Sequence, residues 1–99
     1  MKSTREKILE AALDLFNEYG LSKVSQRLIA EKLAISPGNL TYHFKLKEDI
    51  EEALYFELVA KIDDKIKEFY GQEMNLQSIV NISGEMFKLF YVYRFIFIE

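Results

Sequence analysis

Apolar residues recur at three- and four-residue spacing near the start of the chain. Ile8, Leu9, Ala12, Leu15, Phe16 and Tyr19 fall on one side of a helical repeat. That pattern predicts a helix from about Thr4 to Tyr19. Ser3 and Glu6 are spaced S-x-x-E before it, a capping-box pair in which each residue satisfies an orphan backbone donor. Gly20 suits a left-handed stop. After a short link, Leu21 to Val24, Ser25 is placed to cap a second helix reaching about Leu33 or Ala34. Leu28, Ile29 and Leu33 form its inward stripe, while Gln26, Arg27, Glu31 and Lys32 are expected to face out. Ser36 then suits an N-cap and Pro37 a first helical position, where its missing N–H costs nothing. A new helix therefore starts almost as soon as the last one stops. Two short helices joined so tightly must cross steeply, which is helix-turn-helix geometry. The second, about Pro37 to Phe44, turns Leu40 and Phe44 inward and leaves Pro37, Gly38, Asn39, Thr41, Tyr42 and His43 outside.

Beyond the brief link Lys45-Leu46-Lys47, Ile50, Leu54, Leu58, Ile62 and Ile66 lie four apart. They predict a long helix from about Lys47 to Tyr70, ended by Gly71. Its acidic start, Glu48-Asp49 and Glu51-Glu52, complements the positive end of the helix dipole. Asn75 can cap a last helix through Ile79, Ile82, Met86, Leu89 and Phe90. Phe95-Ile96-Phe97-Ile98 has strand-like composition but continues that helical register. No stretch sustains strand alternation. The expected fold is all-α: a three-helix helix-turn-helix domain, a long connecting helix and one further helix.

The chain has 99 residues, enough for one small domain or one domain and a piece of another. With no cysteine there is no disulfide scaffold, thiolate zinc site or cysteine nucleophile, and a single histidine excludes a multi-histidine metal site. Asp63-Asp64 is an adjacent carboxylate pair, but neighbours on a helix diverge by about 100°, so it reads as a solvated face. No nucleophile–base pair stands out, and neither an enzyme, a metal nor a cofactor is expected. No run of about 18 uncharged apolar residues occurs, and the first residues lack the apolar core of a signal peptide. The expectation is therefore a cytoplasmic protein without a membrane partner.

Charge adds a direction. The net charge is −3, but it is unevenly distributed. From Ser22 to Lys47 the chain carries Lys23, Arg27, Lys32, Lys45 and Lys47 against Glu31 alone. From Ile50 onward acidic residues outnumber basic ones. A basic stretch beside an acidic remainder fits a nucleic-acid face, and equally a solvated charged surface.

The ordered set Arg5, Ile8-Leu9, Ala11-Ala12, Leu15-Phe16, Glu18, Gly20, Ser25, Ile29-Ala30, Ile35-Ser36, Gly38, Leu40, His43-Phe44 and Lys47-Glu48 resembles the DNA-binding region of the tetracycline-repressor (TetR) family of bacterial transcriptional regulators. The likeness covers residues 5 to 50. It implies a sequence-specific DNA-binding regulator, a ligand-responsive repressor at full length, which reads the major groove with the helix near residues 37–44. It also implies a double-stranded DNA operator, a homodimer and a small-molecule effector whose site lies mostly beyond these residues.

The candidate DNA-contacting residues are Ser25, Gln26 and Arg27 at the bracing helix, Ser36, Pro37, Gly38, Asn39, Thr41, Tyr42 and His43 at the reading helix, and Lys47 at the start of the long one. Gly38 and Asn39 would approach base edges, and Asn can pair bidentately with adenine. Lys47 and the first amides of the long helix suit a phosphate.

Four positions depart from the family pattern. Val24 stands where Thr is usual, Ala34 where a turn glycine is, Thr41 where Tyr is, and Leu46 where a capping Ser is common. Those at Val24, Thr41 and Leu46 support the alternative, a helical protein–protein interaction module that keeps the fold without DNA binding. The division expected is 1–47 as the helix-turn-helix domain, with 48–99 as the connecting helix and truncated start of a second helical domain. The tail from Met86 to Ile98 is too apolar to face water and is expected to self-associate.

Overall fold

The computed structural model describes residues 1–98. They form α1 (Thr4–Tyr19), α2 (Gln26–Leu33), α3 (Pro37–His43), α4 (Lys47–Tyr70), α5 (Leu76–Val92) and α6 (Phe95–Ile98), with a 3₁₀ turn at Leu21–Lys23. No strand occurs among these residues, and none of their helices is long and apolar enough to cross a membrane. Glu99, the end of the second expected segment, lies outside the described residues.

α1 is the hub. It packs against α2, α4 and α6, and buries Ile8, Leu9, Ala11, Ala12, Leu15 and Phe16. Val24, Ile29, Ala30, Leu40, Phe44, Ile50, Leu54 and Leu58 complete one core with it. Tyr19, expected on the apolar face of α1, is instead exposed at the helix end, and Ala11 takes a buried place. α4 is 24 residues long, about 36 Å at 1.5 Å per residue, and draws the molecule out to 51 × 27 × 19 Å. Only the first half of α4 is buried: Ile66, in line with the buried Ile50, Leu54 and Leu58, is exposed.

The caps follow the expected residues with two changes. Ser3 Oγ accepts from the Glu6 N–H at 3.2 Å, but the Glu6 carboxylate meets the Ser3 hydroxyl and not the Ser3 backbone. Only one half of the expected capping box forms. Gly20 has a positive φ of 91°, yet with ψ at 149° it lies outside the left-handed helical region. It extends the chain toward the 3₁₀ turn. At the start of α5, Asn75 and Ser78 each bond the other's backbone N–H, a complete reciprocal cap.

The largest departure is the last helix, which breaks at Tyr93–Arg94 and resumes as the single turn α6. The break lets Tyr93 and Phe95 enter the core, where the Phe95 ring packs 5.1 Å from that of Phe16. Asn17 of α1 holds the break open. Its Nδ2 donates to the Val92 carbonyl at 2.7 Å, and its Oδ1 accepts from the Phe95 N–H at 3.0 Å. One amide thus replaces the partners that two backbone groups lose at the interruption.

The Tyr93 hydroxyl is paired as well. It donates to Glu57 Oε1 at 2.8 Å and accepts from Lys61 Nζ at 2.8 Å. Burial pushes the Tyr93 phenol above its ordinary range, with the Lys61 bond opposing. The Tyr93 oxygen holds the Lys61 ammonium above its own.

Candidate nucleic-acid interface

The turn between α2 and α3 is closed by backbone bonds. Ala34 adopts φ 57°, ψ 41°, the left-handed region, and the Ile35 N–H reaches back to Ala30 O at 3.1 Å while that of Ala34 bonds Glu31 O at 3.1 Å. This is a Schellman motif built on alanine. The usual glycine would avoid the Cβ clash, so the conformation stores about 1–2 kcal/mol of strain at Ala34. The surrounding bonds and the half-buried Ile35 hold it in place.

Ser36 then caps α3, its Oγ accepting from the Asn39 N–H at 3.0 Å, with Pro37 in the first turn. Leu40 and Phe44 are buried and fix the rotation of α3. That rotation exposes Pro37, Gly38, Asn39, Thr41 and Tyr42 together, with His43 half-buried beside them. Tyr42 is 84% exposed, and its ring forms a T-shaped pair with that of His43, centroids 5.1 Å apart. Thr41 turns its hydroxyl back to Gly38 O at 3.2 Å.

Gly38 has no internal reason to be glycine. A Cβ there would meet nothing within 4 Å, and its φ is not positive. Glycine inside a helix is less favourable than alanine by about 0.5–1 kcal/mol. On the outer side, the missing side chain leaves the α3 backbone uncovered.

Two predicted site residues are partly committed to the fold. Gln26, expected to face out, is half-buried, and its Nε2 donates to Phe44 O at 2.9 Å and to Lys45 O at 3.3 Å. Lys47 Nζ donates to Leu21 O at 2.6 Å. An ammonium has three donors, so two stay available at Lys47. These bonds bring the start of α2, the end of α3 and the start of α4 together. Ser36 and Pro37 stand at the opposite end of α3, about 10 Å away along its seven residues.

Ser25 and Ser36 each accept from the backbone with Oγ and keep the hydroxyl proton for another partner. Arg27 is exposed and sits 3.5 Å from Glu31, an open i,i+4 pair of small energetic weight. The start of α4 is less open to an anion than its position implies. Leu46 has no capping side chain, and the Asp49 carboxylate accepts from the Leu46 N–H at 3.0 Å. A negative charge already occupies that end, and Lys47 is the cationic side chain beside it.

Arg5 was matched only as part of the resemblance, yet its guanidinium lies 5.1 Å over the Phe44 ring and braces the end of α3. Nothing in local spacing announces that contact.

A family model described as bacterial regulatory proteins, tetR family, matches residues 8–54. The HTH-type transcriptional regulator UidR of Escherichia coli K12 is 33% identical over 88 residues, covering 85% of this chain and 45% of its own length. Tetracycline repressor protein class D of Escherichia coli is 38% identical over 60 residues, 61% of this chain and 28% of that protein. The crystal structure of a TetR-family transcriptional regulator from Marinobacter aquaeolei VT8 superposes with a TM-score of 0.89 at 35% identity, over 95% of this chain and 46% of its own. The chain therefore spans less than half the length of these relatives.

Proposed function

Because the chain belongs to the TetR family of bacterial regulatory proteins, we propose that it is a sequence-specific DNA-binding transcriptional regulator that lays α3 in the major groove. The observation that carries this reading is the outer face of α3. Leu40 and Phe44 hold it outward, and Gly38 opens its backbone to close approach without any internal need for glycine. In this reading Asn39 reads a base, and Ser25, Arg27 and Lys47 make contacts to the DNA backbone. Residues 1–47 would act as the reading unit and 48–99 as the connecting helix and the opening of a second helical domain. The name tetracycline repressor protein, carried by one relative, supports a repressor; in our reading the full-length protein also answers a small molecule, works as a homodimer in the cytoplasm and catalyses no reaction. Two reading helices would then meet half-sites about one DNA turn, roughly 34 Å, apart.

Selection from a pool of randomised duplexes, followed by a salt series on the enriched sequence, tests the proposal. The expected result is enrichment of a motif and a linear fall of log affinity with log salt. Lys47→Ala should weaken all duplexes alike and reduce the salt slope by about one unit, as one phosphate contact requires. Asn39→Ala should relax preference at a single base position, by about 1–3 kcal/mol for a bidentate contact. Absence of binding at low salt would refute the reading.

A further inference from the structure

Gln26 lies on the first turn of α2, where a bracing helix meets the DNA backbone, and its side chain points the other way. The carboxamide nitrogen has two acceptors, the carbonyls of Phe44 and Lys45 at 2.9 and 3.3 Å. Both partners are oxygens, so the orientation of the amide is determined: nitrogen inward, Oε1 outward. The outward atom only accepts hydrogen bonds. A phosphate diester offers no proton, so Gln26 in this arrangement has nothing to give it.

The two carbonyls are not arbitrary. Phe44 is the C-terminal cap of α3, and Lys45 begins the link to α4. The last carbonyls of a helix have no partner within it. The short link from α3 to α4 contains no proline to stiffen it. Gln26 supplies a bond from α2 to that point, at the end of α3 opposite to the Ala34 turn. α3 is only seven residues long, and is thereby fastened to α2 at both ends.

We propose that Gln26 is a positioning residue for base readout: its amide struts the C-terminal end of α3 to α2, sets the angle at which α3 enters the groove, and makes no contact with DNA itself. The inference rests on the DNA-binding reading above and assigns the role of one residue within it.

The test uses the 99-residue chain, the duplex enriched by the wild type and an unrelated duplex. In the wild type, a scalar coupling across the hydrogen bond should connect the Gln26 side-chain nitrogen to the Phe44 carbonyl carbon. Gln26→Met keeps the side-chain length without donors, and Gln26→Asn keeps the amide but falls short of the carbonyls. Both should lower the ratio of specific to non-specific affinity by about tenfold, the size of one lost hydrogen bond. Both should leave affinity for the unrelated duplex unchanged, since no contact to the DNA backbone is lost. Gln26→Asn supplies the answer if Gln26→Met does not fold. An unchanged ratio would overturn the strut: equal losses on both duplexes would restore a direct phosphate contact, and no loss on either would leave Gln26 without a role in binding. Failure of the wild type to enrich any duplex would instead refute the DNA-binding reading, and this inference with it.

Discussion

α1 and α5 are of similar length and both carry many apolar residues, but they dispose of them in opposite ways. α1 confines its apolar residues to one face and buries six of them. α5 spreads them nearly all round and buries only Ser78. Phe87 is 79% exposed, and Phe90, Tyr91 and Val92 are exposed with it. The difference is one of neighbours. α1 is surrounded by α2, α4 and α6, whereas α5 packs principally on α4. A helix with one apolar stripe is satisfied by one layer of partners, and a helix apolar on every side is not. α6 shows the contrast in miniature: Phe95 reaches α1 and is buried, while Phe97 and Ile98 are exposed.

The sharpest test of this contrast compares two phenylalanines. Phe16→Ala, at 1% exposure, should cost about 3–5 kcal/mol in urea denaturation. Phe87→Ala should stay within about 0.5 kcal/mol. Comparable losses at both sites would show that α5 is packed in solution and would break the comparison.

Asn17 is the point where the two regions are tied, and its removal should have the next largest effect. Asn17→Ala strands the part-buried Phe95 N–H and leaves the exposed Val92 carbonyl to water, at a cost of about 1–2 kcal/mol. Amide exchange at Phe95 should accelerate by more than at residues in the middle of α1. Uniform acceleration would mean that the break is not a separate unit.

Ala34→Gly should raise stability by about 0.5–1 kcal/mol, because relief of the left-handed strain exceeds the added freedom of glycine in the unfolded chain. It acts within the well-packed half and should leave exchange in α5 unaltered, a selectivity that amide exchange reads directly.

Alkaline pH probes the link between α4 and the break. The folded state raises the affinity of both Tyr93 and Lys61 for their protons. Their contribution is therefore complete below the unfolded values near 10 and is lost as pH rises through the folded ones. Stability measured from pH 8 to 12 should decline at the upper end, and Tyr93→Phe should flatten that decline. A steeper fall in the variant would contradict the assignment.

The smallest effect on stability concerns the exposed face itself. Phe87→Glu should leave the melting temperature nearly unchanged and reduce concentration-dependent association in sedimentation. A point substitution is the proper probe, because deleting residues 86–99 would also remove the buried Tyr93 and Phe95. Identical sedimentation of both proteins as monomers would show that α5 tolerates water.

The first four helices and the start of the fifth were legible in the sequence because their signals are local. Repeats of three and four residues place Ile8 to Phe16 on one face, and Ser25, Ser36 and Asn75 cap helices through bonds only three residues away. The exposed set on α3 followed in turn, since burying Leu40 and Phe44 leaves Asn39 and Tyr42 no other direction. The break at Tyr93 was not legible. The helical register from Met86 to Ile98 supports an unbroken helix, and the break is held by Asn17, bonded across 75 and 78 positions of chain. Gln26 and Lys47 share this character. Each looks like a surface polar residue by its spacing, and each is turned inward by carbonyls 18, 19 and 26 positions away. Helix starts and inward faces are decided within a few residues by backbone geometry and apolar periodicity. Where a helix must stop to admit a ring into the core, and which polar side chain is spent on the frame, depends on acceptors that only the packed chain brings within reach.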